Sequence, residues 1–401
     1  MTDDGFKWVV LFGCWLLYFV FGLSITSLAP LVPEITAELN LSLADMGMVL
    51  GAWQFIYIFL AIPVGFVLQR LGAGRMLVLA AVIIAVSGIC RSLADGHWSL
   101  LLAVALFGIG GPIVSAGVPQ TVSKWFSGSQ RGLAMGIYIT APAIAGIVTF
   151  SLTQSFLLPV LGDWRAILRL WAACAVAAGV IWLLIWITGR RIARDQASAG
   201  EAPRGYALAD AAGLLSHRNT WLLLGVGTGV FTIDHGLRNW LPEILRAGGL
   251  SAAEAGYLAS IAVICGVIGA LVFPAMALAR RRRKVLVCMF VMSAAGCIAL
   301  QGWSYPLLVA GLMLVGTASG AMMTISMLTL IEQDYVGPER AGMAGGIFFS
   351  FAEIGGVSGP VMFGVLHDYT GGFQVSLYLL AGIALVLCVL VQAMQPVRKA
   401  L

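Results

Sequence analysis

The chain has 401 residues, 60% of them hydrophobic and 10% charged, and a formal net charge of +5. Soluble globular domains carry about 25% charged residues, so this balance excludes an ordinary soluble enzyme and points to a chain that crosses a bilayer repeatedly. The basic excess lies mostly in loops between apolar runs, where it orients a membrane protein and says nothing of nucleic acid.

From the amino terminus, Met1 to Lys7 mixes acidic and basic residues, unlike the leader of a cleavable signal peptide. Apolar runs follow near 8–30, 45–68, 76–93, 98–122, 132–156 and 166–188, each close to the roughly 20 residues a helix needs to cross hydrocarbon. A second set lies near 219–240, 254–278, 285–302, 305–330, 342–366 and 373–394. The expected fold is therefore all-α, with twelve transmembrane helices in two pseudo-symmetric six-helix bundles. Residues 1–188 form the first half, 189–218 a cytoplasmic linker and 219–401 the second half.

The linker is the one sustained polar stretch. It holds Arg190, Arg191, Arg194, Arg204 and Arg218, and Gly200, Pro203 and Gly205 interrupt any long helix. Tyr206 to Leu215 has the makings of an interfacial helix with a short apolar face. Lys7, Arg70, Arg75, Lys124, Arg131, the linker arginines, the run Arg280 to Lys284, Arg340, Arg398 and Lys399 all fall on one predicted side. The opposite side receives Arg165 and Arg246. Short basic loops stay inside, so this asymmetry places both termini in the cytoplasm. Span 4 carries Gly108, Gly110, Gly111 and Pro112, and span 10 echoes it with Gly311, Gly316 and Gly320. Paired halves of this kind suit a secondary transporter that rocks one half against the other.

Polar residues inside the spans are the candidate machinery. Glu353 lies about 11 residues into the span entered near Gly342, roughly 16 Å deep at about 1.5 Å per residue. An ionised acid there is expensive, so it faces a cavity, pairs with a cation or takes up a proton. Packing as a carboxylic acid between helices is its bland alternative. Asp234, His235, Arg238 and Asn239 share span 7, and the four-residue spacing of Asp234 and Arg238 puts them on one face, as an ion pair or a substrate clamp. His235 is an imidazole that ordinarily titrates near neutrality, so Glu353, His235 and Asp234 are the coupling candidates. Substrate candidates are Arg238, Asn239, Tyr18, Gln54, Tyr57, Gln120 and Tyr138, each weighed against ordinary interhelical packing. Trp53, beside Gln54, points another way, towards packing or lipid. Arg91, near the end of span 3, reads as a snorkelling interfacial residue. Glu332, Asp334, Glu339 and Arg340 form either a gate latch or a solvated loop. Seven cysteines are scattered without metal-ligand spacing, so neither metal nor cofactor is expected.

Several stretches carry a family resemblance. Gly65-Phe-Val-Leu-Gln69-Arg70-Leu-Gly72-Ala-Gly74-Arg75, after span 2, resembles the signature loop of the major facilitator superfamily. Gln69 departs from it, standing where the family has an aspartate. Trp125-Phe126 with Arg131-Gly-Leu-Ala-Met-Gly136, and Gly355 to Gly371, resemble the family's spans 5 and 11. The resemblance implies a latch built on Gly65, Gln69, Arg70, Gly72, Arg75 and Arg131, to which Glu339 and Arg340 are added as opposing candidates. Asn239-Trp240-Leu-Pro242 with Gly249 to Gly256 is similar, more weakly, to bacterial cyanate-type, nitroimidazole-type and small organic anion carriers.

These features predict a monomeric, multi-pass transporter of the bacterial inner membrane that moves a small organic anion by alternating access, with protons as the coupling ion. Protons, a small solute and the bilayer are its expected partners, and nucleic acid is not. A proton-coupled exporter of an apolar or cationic compound is the alternative. So is a sensor or assembly factor that moves nothing.

Overall fold

Backbone amides and carbonyls have no water to bond in hydrocarbon, so long apolar runs must close their hydrogen bonds internally as helices. The computed structural model describes residues 3–194, 208–278, 280–301 and 304–394, and it is helical throughout those stretches apart from short turns. The first helices are α1 (Asp3–Thr26), α2 (Val32–Leu39), α3 (Leu43–Leu71), α4 (Ala73–Ser92), α5 (His97–Trp125), α6 (Gly128–Leu152), α7 (Leu158–Leu161) and α8 (Trp164–Arg194). Then come α9 (Leu208–Leu215), α10 (Arg218–Ala247), α11 (Ala252–Met276), α12 (Arg282–Ala299), α13 (Tyr305–Ile331), α14 (Gly337–Thr370) and α15 (Gln374–Gln392).

Helix ends follow from local chemistry. Gly72 separates α3 from α4 at φ +80°, and Gly371 ends α14 at φ +74°, both in the region that glycine enters without a Cβ clash. Ser251 and Glu254 exchange bonds across the first turn of α11 as a capping box.

Ten helical stretches among the described residues are long and apolar enough to cross a membrane. Two of the twelve expected spans fall outside that set. Asp234, His235, Arg238 and Asn239 dilute the apolar run of α10. Arg282, Arg283 and Lys284 fill the first three positions of the 18-residue α12. The short helix at Leu208–Leu215 lies where an interfacial segment was expected; linker residues 195–207, Tyr206 among them, lie outside the described residues, like Arg398 and Lys399.

The chain divides into two units, Met1–Leu41 with Phe55–Arg204, and Ser42–Gln54 with Gly205–Leu401. The stretch Ser42–Gln54, expected in the first half, thus sorts by its contacts with the second, and α3 contributes to both. In the first unit, α4 packs on α5 and α8, and α1 on α6 and α8. In the second, α10 packs on α14, α11 on α13, and α12 on α13 and α15.

Small residues set these distances, as they do where helices associate without a hydrophobic drive. A Cβ on Gly320 would come 2.9 Å from the Gly266 Cα, and one on Gly316 2.8 Å from the Ala262 Cα. Gly316 and Gly320 are thus the seam between α11 and α13, while Gly311 faces Gly296 and Ala299 of α12. Elsewhere, exposed apolar side chains such as Phe59, Leu102, Leu271 and Val389 form the lipid-facing surface of a spanning helix.

Candidate functional site

In the second unit, α14 lies against α10 along glycines. Gly359 faces α10 at Gly236, where a Cβ would stand 2.8 Å from the backbone nitrogen. Thr228 Oγ1 donates to the Phe351 carbonyl (2.9 Å), and Trp240 Nε1 to the Pro360 carbonyl (2.9 Å). The Ser42–Gln54 stretch of α3 lies on α14 in the same close way: a Cβ at Gly47 would stand 3.1 Å from the Val361 Cα, and one at Gly51 3.1 Å from the Val357 carbonyl. Asp368 fixes one end of this seam, accepting from the Ala44 amide at 2.8 Å.

These three elements bring Gln54, His235 and Glu353 together. Gln54 is fully buried, and His235 and Glu353 are 8% and 4% exposed. Gln54 Nε2 and His235 Nδ1 are 3.2 Å apart. With the amide donating, Nδ1 accepts and the imidazole proton resides on Nε2. A Cβ at Gly356 would collide with Glu353 Oε2 and stand 3.2 Å from Gln54 Cγ, so both side chains border the space that this glycine leaves. Gln54 Oε1 and Glu353 Oε2 are each buried without a hydrogen-bond partner.

Around this core, the His235 ring meets Trp53 edge-on, with centroids 6.0 Å apart, and Phe231 at 5.2 Å. Trp53 therefore packs inside the cluster. Asp234 and Arg238 form the expected ion pair at 3.1 Å, with the Arg238 side chain 41% exposed. Asp234 is near enough to interact electrostatically with both His235 and Glu353. Asn239 points elsewhere: its Nδ2 donates to the His235 carbonyl at 2.8 Å, so it bonds to its own helix.

The first unit gathers a different set. Tyr18 and Tyr138 pack edge to face at 5.5 Å, Tyr18 stacks on Phe21 at 5.6 Å, and the Tyr57 hydroxyl bonds to Ser115 at 3.0 Å. Gln120 Oε1 is buried without a partner. Arg91, expected to snorkel, is instead 2% exposed. Its Nη1 donates to the Ser24 carbonyl (2.9 Å) and Ser27 Oγ (3.2 Å), and its guanidinium stands 5.2 Å from the Phe107 ring centroid. A basic residue closing one apolar run and serines closing another were the available signal.

The latch candidates sit at helix ends. Gly65, Gln69, Arg70, Gly72 and Arg75 run from α3 into α4, with the three polar side chains exposed. A Cβ on Gly65 would meet nothing within 4 Å, so packing does not demand a glycine there. Arg131 bonds to Ser123 at 2.9 Å within its own unit. Arg340 is exposed, and the Glu339 side chain lies outside the described residues. Glu332, read as latch or solvated loop, pairs with Arg282 at 2.8 Å. Beside it, Tyr335 stacks on His217 with centroids 3.7 Å apart and shares a bond with Thr220. Burial pushes the Tyr335 hydroxyl above the usual phenol range, and the Thr220 bond partly offsets this.

The family model described as Major Facilitator Superfamily matches residues 14–276 and 230–400. The chain belongs to that superfamily. It is a multi-pass membrane protein and a secondary transporter of a small molecule. Among superfamily relatives, an uncharacterized transporter, YycB, of Bacillus subtilis (strain 168) is 25% identical over 91% of this chain and 88% of its own length. The hexuronate transporter of the same organism is 24% identical over 90% and 87%. Others at similar identity are named as a D-galactonate transporter, a quinolone resistance transporter and a cyanate transport protein. The crystal structure of the nucleoside transporter NupG shares the superfamily fold at a TM-score of 0.77 and 15% identity, covering 97% of this chain and 99% of that one.

Proposed function

We propose that this chain is a twelve-span, proton-coupled carrier of a small organic anion in the bacterial inner membrane, with both termini cytoplasmic, working by alternating access. The observation that carries the reading is Glu353: a buried carboxyl group with a partnerless oxygen, beside His235 and Gln54, in a helix that crosses the membrane. An ionised carboxylate without donors in hydrocarbon costs several kcal/mol. A proton removes the cost, and its arrival and departure are what coupling requires.

Arg238 supports the anion. Its planar fork is exposed on one side of the Asp234 pair, and a guanidinium matches a carboxylate with two parallel bonds. Relatives named for hexuronate and galactonate agree with a carboxylate cargo. One proton offsets one substrate charge, so symport of a monoanion moves no net charge. Tyr18, Tyr57, Gln120 and Tyr138 in the first unit, and Gln54 in the second, serve as substrate contacts. The loop residues from Gly65 to Arg75 with Arg131 in the first unit, and Glu339 with Arg340 in the second, serve as the latch residues of their own units.

Proteoliposomes under an imposed inward proton gradient test this directly. Glucuronate uptake should be saturable, enhanced by the gradient, and lost in Glu353→Gln. Gradient-driven uptake that persists undiminished in that variant overturns the coupling assignment. A second reading, export of an apolar aromatic compound, is favoured by the Tyr18, Phe21 and Tyr138 cluster and a quinolone-resistance relative. Proton-driven quinolone movement with no carboxylate uptake would select it.

A further inference from the structure

We propose that Gln54 is the positioning residue for the proton on Glu353: the protonated carboxyl group donates to the Gln54 carboxamide oxygen, and this bond ties the Ser42–Gln54 stretch to α14 only while the proton is present. This rests on Glu353 being the proton carrier.

The chemistry of the two orphan atoms leads there. Gln54 Oε1 and an ionised Glu353 oxygen are both acceptors, and both are buried without a donor on side chains that meet at Gly356. One of the two Gln54 amide protons goes to His235 Nδ1 at 3.2 Å, and no donor reaches Glu353 Oε2. Adding one proton to Glu353 turns an acceptor into an O–H donor and satisfies both oxygens at once. A substrate hydroxyl has the same chemistry, but the burial of both side chains and the tightness at Gly356 favour the smaller occupant.

Position makes the bond consequential. The seam between the Ser42–Gln54 stretch and α14 is backbone-close at Gly47 and Gly51. Asp368 holds one end through the Ala44 amide, and Gln54 stands at the other. Losing the proton leaves two acceptors facing each other, which weakens that end of the seam.

The ionisable group that acts on Glu353 from a neighbouring helix is Asp234 on α10, with His235 and Arg238 on the same helix. The Ser42–Gln54 stretch adds only Asp45, near its far end, and neither α13 nor α15 carries an Asp, Glu, Lys or Arg. The switch is therefore local to α10, α14 and Gln54.

Infrared difference spectroscopy across a pH step reads this bond on the full chain in lipid nanodiscs. Wild-type protein should show a protonated-carboxyl C=O band that Glu353→Gln removes. In Gln54→Met the same band should persist at higher wavenumber, because the C=O stretch stiffens when its O–H loses an acceptor. Gradient-driven glucuronate uptake should fall about tenfold, the equivalent of one hydrogen bond of about 1.4 kcal/mol. Gln54→Asn, one methylene shorter, should shift the band by less and serves if the Met variant folds poorly. A band at the wild-type position in both variants overturns the role of Gln54 and leaves Glu353 as carrier. A wild-type band that moves on adding glucuronate at fixed pH shows a substrate hydroxyl at the oxygen and overturns it too. If Glu353→Gln removes no band, the proton-carrier reading itself falls.

Discussion

Arg91 and Glu353 are both ionisable side chains buried in apolar helices, one in each unit, and their surroundings differ in kind. Arg91 finds most of what a buried cation needs, although its Nε is buried without a partner. Ser24 offers one of the orphan carbonyls at the end of α1, the helix dipole there is negative, and Phe107 presents a ring face. Hydrogen bonds to a charged group contribute about 1.5–3 kcal/mol, and a desolvated cation–π contact about 2. Those sums match a desolvation cost of several kcal/mol. Glu353 has no comparable set: one oxygen is orphaned, and the charged neighbour that interacts with it is another carboxylate. Burial alone does not mark function: the Arg91 charge meets two acceptors and a ring face, while the buried Glu353 oxygen meets no donor.

That contrast breaks or sharpens on four substitutions, ordered by expected loss of stability. Arg91→Ala should cost about 2–3 kcal/mol, since it removes the charged bonds to the Ser24 carbonyl and Ser27 Oγ and empties the space over Phe107. The thermal midpoint in detergent should drop, with partial recovery in Arg91→Lys. Full stability with abolished glucuronate uptake would instead make Arg91 part of the transport route. Gly356→Ala should cost about 1–2 kcal/mol by overpacking and push the Glu353 carboxyl aside. Its signature is an altered pH profile of uptake at near-normal expression; an unchanged profile would detach Gly356 from the cluster.

Ser27→Ala removes one of the two Arg91 Nη1 bonds and should cost about 1 kcal/mol, with the pH dependence of uptake untouched. Glu353→Gln should change stability least, within about 0.5 kcal/mol, because an amide of the same shape supplies the donor that the carboxylate lacks. Denaturation midpoints measure all four on one scale. A large destabilisation by Glu353→Gln would place this side chain in the same structural class as Arg91 and dissolve the distinction.

Much of the architecture was legible because composition and periodicity are what a bilayer selects. Apolar runs gave the helices, and the glycines of the 305–330 run proved to be a helix–helix seam. The Asp234–Arg238 pair followed from spacing alone. Convergence across the chain was not legible. Nothing local tells that Gln54 meets His235, 181 positions later, or that Trp53 rotates inward beside it. Neighbours on a helix point about 100° apart, and a tryptophan can cover part of that angle with its own width. Asn239 misled for the opposite reason: its side chain is short enough to bond back to the preceding turn. Arg91 misled because its position in a run gave its depth, while its partners lie on another helix.

The Gly316 and Gly320 contacts with Ala262 and Gly266 put two main chains against each other with no side chain as a cushion. Such a junction has no rotamers to rearrange, so α11 and α13 must travel as a single stiff member whenever the protein changes shape. Saturation mutagenesis should trace it as a narrow furrow of intolerance, only one residue wide on each helix.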